Sequence, residues 1–173
     1  MTIIILVSKL VKLKITLLVF IGSIGNSFCQ ELKLPELNIT ELIKGSEDDI
    51  GYWGDGYVYV IDLWGTWCKP CIEGVPKLTA ISKKYSSQGL RLIGYSWEDP
   101  LKVERVVSKL GSDMDYILVN DSHEKFIKTI AEEMELVEGF PFAFVISEQG
   151  FVIWKGNPKY GLDEFLKKHF KNQ

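Results

Sequence analysis

The sequence predicts one α/β domain, with helices on both faces of a mixed central β-sheet. Three observations lead there. Short, almost continuously apolar runs alternate with longer segments whose apolar residues recur at helical spacing. The last two strand-like runs are parted only by Glu148-Gln149-Gly150, a hairpin signal, whereas helical segments join the earlier ones. The length, 173 residues, suits one hydrophobic core better than two.

The elements follow in order. Residues 31–55 are polar and turn-rich, with Leu32, Leu34, Leu37, Ile39 and Leu42 marking short extended pieces, and residues 51–56 read as a loop rich in glycine and aromatics. Tyr57 to Trp64 is the first firm strand, apolar on both faces as a buried central strand is. Pro70 to Gln88 reads as a helix through Ile72, Val75, Leu78, Ile81 and Tyr85, with a kink expected at Pro76 and a stop at Gly89. Leu90 to Trp97 is the second strand. Asp99-Pro100 opens a helix carrying Val103, Val106, Val107 and Leu110, and Gly111 ends it. Tyr116 to Val119 is a short strand. Ser122 is expected to cap a helix running to about Leu136, with Phe126, Ile127, Ile130, Ala131 and Met134 inward. Phe142 to Ser147 and Phe151 to Lys155 form the hairpin, and Leu162 to Phe170 closes the chain as an amphipathic helix. No repeat, linker or low-complexity segment interrupts this order.

Residues 1–29 stand apart from the domain at 30–173. Lys9, Lys12 and Lys14 precede an apolar run from Ile15 to Ile24, and Gly25-Asn26-Ser27-Phe28-Cys29 follows. A basic start, an apolar stretch and small residues before a cut describe an export signal, and the run is short of the about 20 residues that span a bilayer. Export to a periplasm or cell envelope is therefore expected, with retention as an anchor the alternative. Phe28 makes Cys29 a poor lipidation site. The net charge of −3 and a pI near 5.5 give no electrostatic case for nucleic acid. Asn38-Ile39-Thr40 matches a glycosylation sequon and reads as chance.

The chemistry concentrates at Trp67-Cys68-Lys69-Pro70-Cys71, between a strand and a helix. Unpaired N–H groups and the positive end of a helix dipole favour a thiolate over a thiol. The thiolate is the nucleophile of disulfide exchange. With Cys29 lost, Cys68 and Cys71 are the only cysteines left, so the pair is not the framework of a disulfide-stapled scaffold.

Two stretches give these residues a family likeness. Asp62-Leu63-Trp64-Gly65-Thr66-Trp67-Cys68-Lys69-Pro70-Cys71 resembles the active-site segment of thioredoxins, and Gly139-Phe140-Pro141-Phe142-Ala143-Phe144-Val145-Ile146 resembles the segment that carries their cis-proline. The helix–strand–helix material from Asp99 to Val137 resembles the insertion of exported thiol–disulfide oxidoreductases of the TlpA/ResA type. The resemblance implies a thioredoxin-like fold with an insertion before the cis-proline. Several relatives carry a glutamate three positions after the second cysteine. This chain has Gly74 there, and the adjacent Glu73 would face about 100° away on a helix.

The expected roles follow. Cys68, next to Lys69 and partly exposed, is the nucleophile. Cys71, a turn further in and buried, resolves the mixed disulfide. Asp62, on the strand beneath the helix, is desolvated and takes the Cys71 proton, through a water. Pro141 is cis and lies against the dithiol. Trp67, Phe140, Lys69 and Pro70 form the substrate-binding rim, with Trp67 shielding the sulfurs. Trp64 reads as packing, Trp53, Trp97 and Trp154 as core or loop aromatics, and His123 and His169 as solvent-facing.

No cofactor and no metal are expected. A zinc site needs four ligands, and only His123 and His169, on unrelated segments, could add to the cysteines. A copper-carrying or protein-binding module and a peroxiredoxin-like peroxidase are the alternatives. A histidine near Pro141 is missing for the first, and a threonine and proline ahead of the reactive cysteine for the second. The resemblance implies protein disulfides as substrates, apocytochromes among them as in cytochrome c maturation, and a membrane-linked dithiol as electron donor. A reductant is the expected direction.

Overall fold

The computed structural model describes residues 31–172, so the segment expected to be an export signal, with Cys29, lies outside the described residues. Six strands form one mixed sheet: β1 (Glu41–Lys44), β2 (Val58–Leu63), β3 (Leu90–Ser96), β4 (Ile117–Asn120), β5 (Phe142–Ile146) and β6 (Val152–Gly156), in the order β1-β4-β3-β2-β5-β6. β2, β3 and β4 are parallel, and β1, β5 and β6 run antiparallel to their neighbours. The helices are α1 (Lys69–Tyr85), α2 (Pro100–Leu110), α3 (Lys125–Lys128) and α4 (Leu162–Lys171). This is the mixed α/β architecture expected from the sequence, with one strand more.

Strand alternation divides the core in two. Val58 and Val60 face Val75, Leu78 and Ile81 of α1, Val103 of α2 and Leu162 and Leu166 of α4. Tyr59, Ile61 and Leu63 face the other way, against Phe126, Ile127 and Ile130. Every residue of β2 is buried, as its apolar run demands. Asp62 therefore enters the layer beneath α1 as a lone carboxyl on an apolar strand.

α1 runs continuously through Pro76. A tight turn continues it over Ser86–Gln88, and Gly89 ends it at φ 90°, a left-handed conformation that glycine adopts without strain. α2 starts as expected: the Asp99 carboxylate accepts the N–H groups of Leu101 and Lys102, and Pro100 occupies the first turn.

One expectation is sharpened and another changes. The short extended piece expected at Leu42 is β1, a strand at the sheet edge whose four residues are too few to show a strand period. The helix expected from Ser122 to Leu136 is shorter, and Ser122 does not cap it. Asp121 takes that part, accepting the N–H groups of His123 and Phe126 together with the Tyr95 hydroxyl and the Asn38 amide. Glu124 is left-handed, at φ 58°, so α3 begins only at Lys125. Beyond Lys128 the backbone widens into a π-turn over Thr129–Glu133, and left-handed Glu135 ends the element.

Candidate functional site

The C-terminal ends of β2 and β3, the start of α1 and the loop before β5 converge on the dithiol. Cys68 is the N-cap of α1, and its sulfur accepts the N–H of Cys71 at 3.3 Å. The two sulfurs are bonded, with the Cα atoms 5.2 Å apart. Pro70 sits in the first turn, where its missing N–H costs nothing.

Cys68 is 3% exposed and Cys71 4%. The burial of Cys71 is as expected, but that of Cys68 is a correction. Its sulfur is folded back over the first helical turn by the bond to Cys71 and by the Cys71 N–H. Lys69, the residue after Cys68, extends into solvent, with Nζ 3.9 Å from the Glu73 carboxylate.

The rim is aromatic. Trp67 is 56% exposed and meets Phe140 edge-on at 5.4 Å between ring centres. Trp97, just past β3, completes the group at 5.3 Å from Phe140 and 6.3 Å from Trp67. The Trp67 indole lies over Gly65: a Cβ there would fall 2.6 Å from Trp67 Nε1, so a larger residue would displace the ring. The Phe140–Pro141 peptide is cis, and Pro141 lines a pocket of about 130 Å³ together with Asp62, Pro70, Cys71 and Lys77.

Asp62 opens onto this pocket while being 2% exposed overall. Burial pushes its carboxyl up to about 7. A carboxyl poised near neutrality, sharing a cavity with the buried sulfur, is suited to receive and return a proton.

Sequence reasoning missed three residues here. Trp97 passes for an ordinary core aromatic until its loop is placed beside Phe140. Glu98 accepts both the N–H of Thr66 and, at 2.8 Å, its hydroxyl, and so holds the turn leading to Cys68. Tyr116 packs near Asp62 beneath α1. None carries a motif, because each acts across a long stretch of chain. His123 is exposed, as expected. His169 is instead half-buried, with Nε2 3.1 Å from Glu148 and its ring stacked on Phe165. Among the described residues no three His, Cys, Asp or Glu side chains come together as metal ligands.

Comparisons with known proteins agree with this geometry. The family model described as Redoxin matches residues 45–164, well over half of the chain. The thiol-disulfide oxidoreductase ResA of Bacillus thuringiensis subsp. konkukian is 28% identical over 169 residues, covering 89% of this chain and 92% of that protein. ResA of Geobacillus kaustophilus is 27% identical, covering 83% of this chain and 84% of its own. Among solved structures, a thiol:disulfide interchange protein of the thioredoxin family from Chlorobium tepidum superposes with a TM-score of 0.64 at 20% identity, over 83% of this chain and 99% of that one. One from Bacteroides sp. gives 0.63 at 17% identity, over 82% and 90%. At those identities the two structures establish a shared thioredoxin-like fold.

Proposed function

The chain belongs to the redoxin family, within the thioredoxin superfamily and of the ResA/TlpA-like type, and from that premise we propose that it is an exported thiol–disulfide oxidoreductase that reduces disulfides in other proteins. The observation that carries this reading is the Cys68–Cys71 disulfide at the first turn of α1, beside the acid Asp62 and beneath an aromatic rim.

In the reduced protein, the Cys68 thiolate attacks a substrate disulfide. A bond forms between Cys68 Sγ and one substrate sulfur, and the other leaves as a thiolate. Cys71 then loses its proton to Asp62 and attacks Cys68 Sγ. The Cys68–Cys71 bond forms, the second substrate thiolate departs, and two electrons have passed from the dithiol to the substrate. The exposed faces of Trp67 and Phe140, with Lys69 and Pro70 at the edge, receive an extended segment around the substrate disulfide. A dithiol donor associated with the membrane returns the electrons, since free thiols are scarce outside the cytoplasm. The export signal at residues 1–29 would place this exchange in a periplasm or cell envelope.

Insulin reduction tests the reading. With dithiothreitol as reductant, the wild-type protein is expected to speed precipitation of the insulin B chain and Cys68→Ser to leave it at the uncatalysed rate. Equal rates for the two proteins would refute the activity.

A further inference from the structure

Gly94 lies directly across from Asp62 in the β2–β3 ladder, so a side chain there would stand beside the carboxyl. That space is filled from elsewhere. A Cβ on Gly94 would fall 3.0 Å from Cε2 of Tyr116, 3.2 Å from Nε1 of Trp64 and 2.8 Å from Leu118. Cε2 is the ring carbon next to the one bearing the hydroxyl. Tyr116 reaches this spot from the turn before β4, in the segment between β3 and Pro141. Its Oη is buried and has no hydrogen-bond partner in the disulfide form, and neither has Trp64 Nε1.

A buried donor without a partner costs about 1–3 kcal/mol, a penalty that phenylalanine at 116 would avoid. A tyrosine there makes sense if its hydroxyl finds a partner in another state of the site. The adjacent group that changes state is Asp62. We propose that Tyr116 is a positioning residue for Asp62, whose hydroxyl donates to the Asp62 carboxylate in the reduced protein and holds it ionised, ready for the Cys71 proton.

The proposal rests on the reading of Asp62 as proton acceptor. The proton passes from Cys71 Sγ to Asp62, the Cys71 electron pair forms the bond to Cys68, and Asp62 later releases the proton to water through the pocket. Tyr116 keeps its own proton throughout; burial, and then the nearby Asp62, hold its phenol well above the usual range. The other titratable groups around the pocket are Cys71, Glu73 and Lys77 of α1 and Lys159 beyond β6. Lys77 Nζ donates to the Lys159 carbonyl at 2.8 Å in an exposed position, and Glu73 lies near Lys69 in solvent. Tyr116 is a buried hydroxyl that keeps its proton and so has one to donate to the Asp62 carboxylate.

The test uses the reduced full chain, with Cys29→Ser in every variant so that Cys68 and Cys71 are its two thiols, mixed with the chromogenic disulfide dithiobis(nitrobenzoate). The first thionitrobenzoate released reports attack by Cys68, and the second reports closure by Cys71. Closure is followed from pH 4 to 9. Tyr116→Phe is expected to move the Asp62-dependent midpoint up by about one unit and to slow closure roughly tenfold at pH 6, with attack by Cys68 unchanged. Tyr116→Leu, which also alters the packing, is expected to give the same shift. In an Asp62→Asn background, Tyr116→Phe should have no further effect. A lower melting temperature with the midpoint in place would overturn the proposal and leave Asp62 standing. A closure profile already indifferent to Asp62→Asn would instead remove Asp62 from the mechanism, and Tyr116 with it.

Discussion

At the scale of single residues, Asp62 is the most consequential. Its folded-state carboxyl is raised to about 7 by burial, above an unfolded value of about 3.9. Between those values the unfolded chain has lost its proton while the folded chain keeps it, so stability falls as pH rises through this window and levels off above pH 7. The loss amounts to about 4 kcal/mol as an order of magnitude. Asp62→Asn is therefore expected to leave stability unchanged near pH 4 and to raise it by a few kcal/mol at pH 8, as read by urea unfolding at both. The same substitution should slow closure of a trapped mixed disulfide at least about tenfold at pH 7. A stabilised but slower protein would identify Asp62 as a group kept for chemistry at the expense of stability. Cys68, Cys71, Asp62 and Pro141 were legible from spacing and family likeness. Tyr116 was not, because its place beside Asp62 depends on Gly94 having no side chain, and that is visible only across two strands.

At the scale of elements, two carboxylates hold the backbone around the site. Glu98 binds the N–H and hydroxyl of Thr66, two residues before Cys68. Glu98→Ala should speed hydrogen exchange at the Thr66 amide by at least about tenfold, since that N–H then loses a partner worth about 1.5 kcal/mol or more. Asp121 gathers four donors, from Phe126, Tyr95, Asn38 and His123. Burial alone would raise its carboxyl, but those hydrogen bonds outweigh it and hold the group below the usual range. Its contribution is thus fully present above the unfolded value and is lost as pH falls through the lower folded one. Asp121→Ala is expected to cost about 2–4 kcal/mol at pH 7 and to free the start of α3, as read by thermal melting and by exchange at the Phe126 amide. The helices opened by Asp99 and Pro70 could be placed from sequence because cap and period agree. α3 could not. Its apolar period continues through Met134, while Glu124 and Glu135, both left-handed, cut the helix short at each end.

At the scale of the whole molecule, the fold brings four separated segments to one end of the sheet. The strand β2, the start of α1, the Trp97-Glu98 turn and the Phe140-Pro141 loop meet there, while the two core layers lie on either side of the sheet. The order of the central elements could be read because buried parallel strands and helices have different periods. The edge strand β1 was legible only as a short extended piece, because four residues paired on one side leave little pattern. A protein whose dithiol reduces others must be more stable with the disulfide closed than open, since its folding and redox equilibria are linked. Urea unfolding of the oxidised and reduced forms at pH 7 should therefore show the oxidised form unfolding at the higher concentration.

The most direct measurement is a redox titration of the Cys68–Cys71 pair in dithiothreitol buffers, with free thiols trapped by alkylation and counted by mass. The expected result is one two-electron transition, lost in Cys68→Ser, with a midpoint more reducing than the about −180 mV of protein disulfide isomerase. A pair that stays bridged or open across the whole range, or a midpoint near the about −120 mV of a strong oxidant, would contradict it.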